Sequence, residues 1–529
     1  MSESKHSAGH RATVPLAILV VVGLYCLTLV LGWPQEGTRR IVEAETHHDA
    51  ALAHESHIEA VAEATGAAGG TIPAPPLWTV TPFAILLLAI AVLPLIGTVE
   101  HWWESNLNRF LVAAVLALFT LAYFAFLHEL PVEAHWPAHH IVEPTGGVIE
   151  IGFVAAILGN AIMQEFIPFI VLLFSLFAIT GGIRITGDVQ AHPMTNASFL
   201  AIGGLLASFI GTTGAAMLLI RPLLETNKER KKVVHTVVFF IFVVCNCGGC
   251  LLPIGDPPLF LGYLQGVPFT WTFNLWPEWL FVNSLLIVVY LVLDEFFYYP
   301  SETRADIRRD VTNIRKMRAF GWKLNVPLLV GVVLAVALLD PTKTIPGTEW
   351  HPWMYLREVV QLALVAISLW FGSQEVRRAN AFSYHPIIEV AALFSGIFIT
   401  MQPALQILGV YGDELGLTTP AHFFWATGSL SSVLDNAPTY LVFFKAAQAM
   451  PNAPGVPTVQ NIEEPILIAI SLGAVFMGAM TYIGNGPNFM VRAIAEKSGI
   501  KMPTFFGYMA YSCPILLPLL AAMVWMYLM

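Results

Sequence analysis

Two aspartates stand where charge is poorly tolerated. Asp256 lies in Ile254-Gly255-Asp256-Pro257-Pro258, and Asp435 in Ser431-Ser432-Val433-Leu434-Asp435-Asn436-Ala437-Pro438-Thr439-Tyr440, both inside apolar runs. A carboxylate near a bilayer centre costs about 2.5–3.5 kcal/mol on insertion scales, so it normally faces a polar cavity or a partner. The neighbouring residues account for such a cavity. Gly255 permits unusual dihedrals, Pro257 and Pro258 prohibit continued helix, and Pro438 removes a donor and clashes with the carbonyl of Leu434. Breaks of this kind free carbonyl oxygens that suit Na⁺, and Asn436 adds a neutral amide oxygen. Competition between Na⁺ and H⁺ for one carboxylate would couple the movement of the two ions. Further neutral oxygens come from Thr212, Thr213, Asn246, Thr439, Asn485 and Asn488. The plainer role for Asp435 is to cap a half-helix. Glu165 and Glu389, in neighbouring apolar stretches, rank second as proton relays. Cys245, Cys247 and Cys250 have ligand-like spacing but no evident fourth ligand, which favours packing over metal binding. Neither a metal nor a cofactor is expected, only Na⁺ and H⁺ as coupling ions.

These residues recur in order. Leu173-Phe174-Ser175 leading to Ile179-Thr180 returns as Leu393-Phe394-Ser395 leading to Ile399-Thr400, an offset of 220. Gly211-Thr212-Thr213-Gly214 aligns with Asp435-Asn436-Ala437-Pro438 at an offset of 224, and each is followed by an apolar run and a base, Arg221 or Lys445. Ile254-Gly255-Asp256-Pro257-Pro258 aligns with Ile483-Gly484-Asn485-Gly486-Pro487 at an offset of 229. By the count of spans between them the two copies run in opposite directions. Inverted repeats with Gly- or Pro-interrupted helices place substrate and coupling ions at the repeat interface.

The elements that carry them belong to a membrane. Hydrophobic residues make up 56% of the 529-residue chain and charged ones 12%, against about 25% charged in soluble domains. The expected fold is an all-α polytopic membrane protein of two inverted repeats, with about 11–13 spans, each repeat carrying a re-entrant hairpin and broken transmembrane helices. Spans are read at about 14–33, 77–97, 107–127, 198–225, 233–252, 272–296, 323–340, 355–372, 422–447, 463–490 and 505–528. The stretches 149–186 and 386–408 fit simple crossings poorly and are read as the hairpins. The first run is read as an anchor rather than a cleaved signal peptide, since Leu31-Gly32-Trp33-Pro34 offers no clear cleavage site.

Five regions follow: 1–76, an anchor and an acidic, His-containing external insertion; 77–148, peripheral spans; 149–300, the first transport repeat; 301–385, a basic loop and linking spans; and 386–529, the second repeat. Within the insertion, Glu43, His47, His48, Asp49, His54 and His57 can gather a divalent ion, although a solvated helix and linker is the simpler reading. Lys and Arg crowd 228–232, 304–323, 377–378 and 492–501. Basic short loops stay on the cytoplasmic side, which puts the N-terminus inside and suits a bacterial inner membrane. The expected partners are the lipid bilayer and a small ion or carboxylate substrate, and the chain is compatible with a homodimer. No basic stripe points to nucleic acid, and no nucleotide loop, GxSxG elbow or HExxH appears, so energy is expected from an ion gradient rather than from catalysis.

At the two breaks the chain resembles the ion-transporter superfamily that includes NhaD-type sodium/proton antiporters, the arsenite-pump membrane subunit and citrate or dicarboxylate carriers. The resemblance covers about 149–500. Ile254-Gly255-Asp256-Pro257-Pro258 resembles the IGDPP segment of the NhaD-type group, and Leu434-Asp435-Asn436-Ala437-Pro438 its DN-x-P break. It implies Na⁺/H⁺ exchange through both aspartates. One departure counts against that: the Asp-Asn pair of the NhaD-type first break is replaced by Gly211-Thr212-Thr213-Gly214. Hydroxyl-rich breaks are what the superfamily's dicarboxylate carriers use to hold carboxylates, so a citrate-type carrier, with Thr212, Thr213 and Thr439 on the substrate, is the alternative. Arg184 or Arg221 facing the central cavity would favour it. A channel or membrane scaffold is a third reading, which midplane breaks disfavour.

Overall fold

The structure is a computed structural model that describes residues 3–44, 74–312 and 314–529. His47, His48, Asp49, His54 and His57 of the external insertion lie outside the described residues. The fold is all-α and polytopic. Among the described residues, seven helices are long and apolar enough to cross a membrane: Thr13–Val30, Leu77–Leu95, Asn106–Phe126, Ile151–Thr180, Pro193–Ile210, Trp271–Ser301 and Phe505–Tyr527. Shorter apolar helices, among them Trp322–Leu338 and Leu356–Phe371, fill the space between them. Proline in the first turn opens the helices at Pro193, Pro257, Pro420, Pro465 and Pro487, where its missing N–H is no loss.

The hairpins are not where the sequence suggests. Residues 149–186 hold one continuous 30-residue crossing, Ile151–Thr180. Its middle, Gly159–Phe166, is wound as a π-helix. That local widening accommodates Asn160, Gln164 and Glu165 without reversing the chain. Residues 386–408 form a bent pair, His385–Thr400 and Gln402–Tyr411, inclined by 44°. A bend of that size redirects a helix but does not send it back.

The chain turns back instead within the stretches read as simple spans. Pro193–Ile210 and Thr212–Thr226 meet at Gly211. A Cβ on Gly203 would lie 3.1 Å from Leu219 Cδ1, so positions equidistant from Gly211 touch. At the open end Asn196 and Asn227 exchange amide hydrogen bonds of 2.9 and 2.7 Å. The second hairpin is Pro420–Ser431 and Asn436–Gln448. A Cβ on Gly412 would collide with the Ala446 carbonyl, so the chain entering this hairpin runs beside the chain leaving it.

Each hairpin is followed by a broken span. The first runs through Val234–Val243, a 3₁₀ turn Cys247–Cys250, and Pro257–Leu264. The second runs through Glu464–Met477, a 3₁₀ turn Gly478–Met480, and Gly486–Lys497. The repeat is visible residue by residue. A Cβ on Gly255 would collide with Gly249 O, and one on Gly484 would sit 2.6 Å from Gly478 O, the same contact at the same offset of 229. Only glycine lets the two backbone strands of each break approach so closely.

Loop contacts separate two faces. On the basic one, strand Arg184–Asp188 pairs antiparallel with Arg315–Phe320, and Asn380 Nδ2 donates to the carbonyls of Gly181 and Ile183 at 3.0 and 2.8 Å. On the other, Trp271 Nε1 donates to Glu464 at 3.0 Å, Gln460 Nε2 to Gly266 O at 3.0 Å, and Gln448 Nε2 to Gln460 O at 3.0 Å. The first hairpin therefore opens on the basic face, where Lys228 meets Asp188 at 2.9 Å. The second opens on the opposite face. The spans Ile151–Thr180 and His385–Tyr411 pack together through Phe169 stacked on Phe394, with ring centroids 4.9 Å apart.

Candidate functional site

The two hairpin tips and the two breaks converge on one carboxylate. Asp256, 1% exposed, has extended backbone (φ −141°, ψ 143°) and sits as N-cap of Pro257–Leu264. Its Oδ1 accepts hydrogen bonds from Thr212 Oγ1 and Asn485 Nδ2, both at 2.9 Å, and its Oδ2 accepts from Asn436 Nδ2 at 2.6 Å. Thr212 and Asn436 are the first residues of the outgoing hairpin arms, and Asn485 is the N-cap of Gly486–Lys497 with nearly the same backbone as Asp256 (φ −153°, ψ 140°). One side chain thus ties together the starts of four helices.

Neighbouring amides complete the arrangement. Asn246 Nδ2 donates to Ile241 O and Asn488 Oδ1 at 2.8 and 2.9 Å, and Asn488 Nδ2 to the carbonyls of Gly478 and Thr481, both at 2.9 Å. Asn485 Nδ2 also reaches Cys245 O at 3.0 Å. The carbonyl oxygens Asn246 Oδ1 and Asn436 Oδ1 are buried and have no hydrogen-bond partner among the described residues. A buried acceptor without a donor is costly and suits a cation. Cys245, Cys247 and Cys250 are free thiols, buried in and beside the 3₁₀ turn.

Gly211, with φ +77° and ψ 150°, turns the first tip in a conformation that other residues rarely adopt, and lets Thr212 N reach Gly255 O at 2.8 Å. Gly214 packs against Thr180. At the second tip Asp435 holds the N-cap position that Gly211 holds at the first, and its Oδ1 accepts from Ala437 N at 3.0 Å. Among the described residues no hydrogen bond joins Asp435 to Asp256. Its neighbour Asn436 makes that link, and Pro438 lies one turn along. Thr439 Oγ1 donates to Asp435 O at 2.9 Å within its own helix, and Thr213 is half-buried beside Thr212. Pro258 and Pro487 are buried in the first turns of the outgoing half-helices, beside Pro257 and Gly486.

The second-rank acids lie elsewhere. Glu165 accepts from Gln265 at 3.2 Å near the face opposite the basic loops, and Glu389 forms an ion pair with Arg109 at 2.9 Å. Other polar groups of the site carried no signal beyond the repeat itself. Ser208 Oγ donates to Gly248 O at 2.6 Å, Thr481 Oγ1 to Ser432 O at 2.6 Å, and Thr180 Oγ1 is buried without a partner among the described residues. Thr180 ends the Leu-Phe-Ser to Ile-Thr motif, and that recurrence is what could have marked it.

A family model described as "Putative citrate transport" matches residues 73–528. The chain belongs to that family. The match takes in both hairpins and both broken spans of this citrate transport family member and begins after its N-terminal helix. No curated protein matches the chain. The arginines bear on what such a protein can attract. Arg184, Arg221, Lys228, Arg315, Lys316 and Arg318 line a cavity of about 760 Å³ on the basic face. Met217 lines it too, and Thr213, Met217 and Arg221 follow one another at helical spacing of four, so one stripe of the outgoing arm leads from the tip to this cavity.

Proposed function

We propose that this protein carries a citrate-type polycarboxylate across the membrane by alternating access, coupled to Na⁺ or H⁺. The observation that supports it most is that four half-helices begin at Asp256. A helix N-terminus carries about half a positive charge, and several aimed at one point favour an anion. The incoming segments end at Ile210, Cys250, Ser431 and Met480, and their carbonyl ends suit the coupling cation. Asn246 Oδ1 and Asn436 Oδ1 are its proposed neutral ligands, with Asp256 and Asp435 supplying charge nearby. Thr212 and Thr213 are proposed to hold a substrate carboxylate, which reaches them from the basic cavity through Arg221.

The basic loops support a cytoplasmic placement of that face, with the N-terminus on the same side and a bacterial inner membrane as the location. Na⁺/H⁺ exchange through Asp256 and Asp435 is the second reading, favoured by the two carboxylates in opposite repeats. Proteoliposomes separate the two. Labelled citrate accumulating under an inward Na⁺ or H⁺ gradient is expected. If Na⁺ instead drives protons out of vesicles that take up no citrate, succinate or malate, the antiporter reading replaces the carrier.

A further inference from the structure

Glu133, His135 and His139 lie on the face opposite the basic loops, in a two-stranded ribbon between Asn106–Phe126 and Ile151–Thr180. Strands Val132–Ala134 and His140–Val142 pair antiparallel, so residues 135–139 form the connection. Glu133 lies on the exposed side of its strand, and His135, the first residue of the connection, brings Nε2 within 3.9 Å of Glu133 Oε2. His139 folds back to bring its ring within 5.3 Å of the His135 ring, centroid to centroid. One ligand atom from each of the three residues lies within 4.8 Å of the others.

This cluster is seated on a membrane span. Asn160 Oδ1 accepts from His135 N at 2.6 Å and its Nδ2 donates to Glu133 O at 2.7 Å. Asn160 belongs to the π-helical stretch Gly159–Phe166, where Trp136 packs against Gly159. The backbone on both sides of the donor set is therefore held before any ion arrives, which lowers the ordering entropy that binding must meet. Two imidazoles and one carboxylate are borderline nitrogen and oxygen donors that suit Zn²⁺ at about 2.0–2.2 Å, whereas Mg²⁺ and Ca²⁺ want oxygen. At those bond lengths tetrahedral ligand atoms lie about 3.3–3.6 Å apart, so three groups already within 4.8 Å of one another have little distance to close. Three protein ligands leave a fourth tetrahedral position for water or a carboxylate from solution.

We infer that Glu133, His135 and His139 form a binding site for a divalent transition-metal ion, Zn²⁺ foremost, on the outer end of the transport helix Ile151–Thr180. Asn160 is its positioning residue. Its test is calorimetric titration of the full-length protein in detergent with Zn²⁺, and with Co²⁺ read by its tetrahedral visible absorption. One ion per chain is expected at this site, with no response to Mg²⁺. His135→Gln with His139→Gln should weaken Zn²⁺ binding at least 100-fold and abolish the cobalt band, Glu133→Gln should weaken it about 10-fold, and Asn160→Ala should fall between wild type and the double variant. Replacing His47, His48, His54 and His57 together by Gln separates this site from the N-terminal insertion and should leave binding intact. All variants are to retain the metal-free thermal transition, so lost binding is not lost folding. Unchanged Zn²⁺ affinity in the double histidine variant, loss of binding only in the insertion variant, or no tetrahedral cobalt spectrum overturns the proposal.

Discussion

The first hairpin turns on a glycine and faces a break that carries an aspartate; the second turns on an aspartate and faces a break that carries an asparagine. Gly211 and Asp435 hold the same N-cap position, as do Asp256 and Asn485, whose backbones nearly coincide. The scaffold is thus two-fold while its charge is not. The difference teaches that geometry and chemistry are separable here. Glycine contacts repeated at one offset hold both breaks open, but only the first break gives the centre a fully buried carboxylate with three donors.

The comparison can be broken most severely at Asp256. Asp256→Asn keeps the shape, but one of its two acceptor positions becomes a donor facing the donors already there. Transport is expected to fall more than 100-fold in proteoliposomes with insertion preserved. Adding Asn485→Asp to that variant moves the charge to the equivalent position of the other repeat. Partial recovery of transport is the expected result, and none would mean that the two breaks are not interchangeable.

Next come the glycines that the repeats share. Gly255→Ala and Gly484→Ala each push a methyl into a carbonyl oxygen, of Gly249 and Gly478, more closely at Gly255, a cost of about 1–3 kcal/mol each. Thermal unfolding in detergent should show both destabilised, Gly255→Ala more. A loss at only one would argue that the breaks are built differently.

The tips should differ more gently. Gly211→Ala strains a conformation essentially reserved for glycine, worth about 1–3 kcal/mol, whereas Asp435→Ala removes a cap worth about 0.5–2 kcal/mol. If Asp435 also serves the ion, its variant will lose Na⁺ dependence of transport beyond what its stability explains, and Asp435→Ser, which restores the cap without the charge, will not rescue it. The smallest effect is expected at the repeat-related bases. Arg221→Gln should raise the KM for citrate several-fold with kcat nearly unchanged, an effect fading with added salt as screening shortens its reach. Lys445→Gln, on the arm that opens to the opposite face, should leave the KM measured from the basic face as it was.

Much of the site was legible because breaking a helix is a local act. Gly-Asp-Pro-Pro and Asp-Asn-Ala-Pro announce interruptions whatever surrounds them, and their recurrence in order exposed the repeat. The hairpins were misplaced for an equally physical reason. Asn160, Gln164 and Glu165 in 149–186 look like a turn, but a π-helical stretch absorbs them inside one helix. The stretch 198–225 looks like one crossing because both arms of this hairpin are apolar, and the first turns Ile202, Leu205 and Phe209 outward as a span would. Glu389 was legible as an acid in an apolar stretch but not as the partner of Arg109, which lies far away in sequence.

Asp256 and Asp435 stand out as a pair in the sequence because both are costly in apolar surroundings. The local chemistry of glycine, proline and a charged side chain determined that the chain breaks there, and the ordered recurrence determined that the breaks are related. Only the tertiary structure decided what meets what. Asp256 accepts a hydrogen bond from Asn436 and, among the described residues, none joins it to Asp435, and the hairpin that turns at Gly211 is tied at its open end by Asn196 and Asn227. Hydrogen bonds act over about 3 Å and in one direction, so their partners follow from how whole helices pack, which no local stretch of sequence contains.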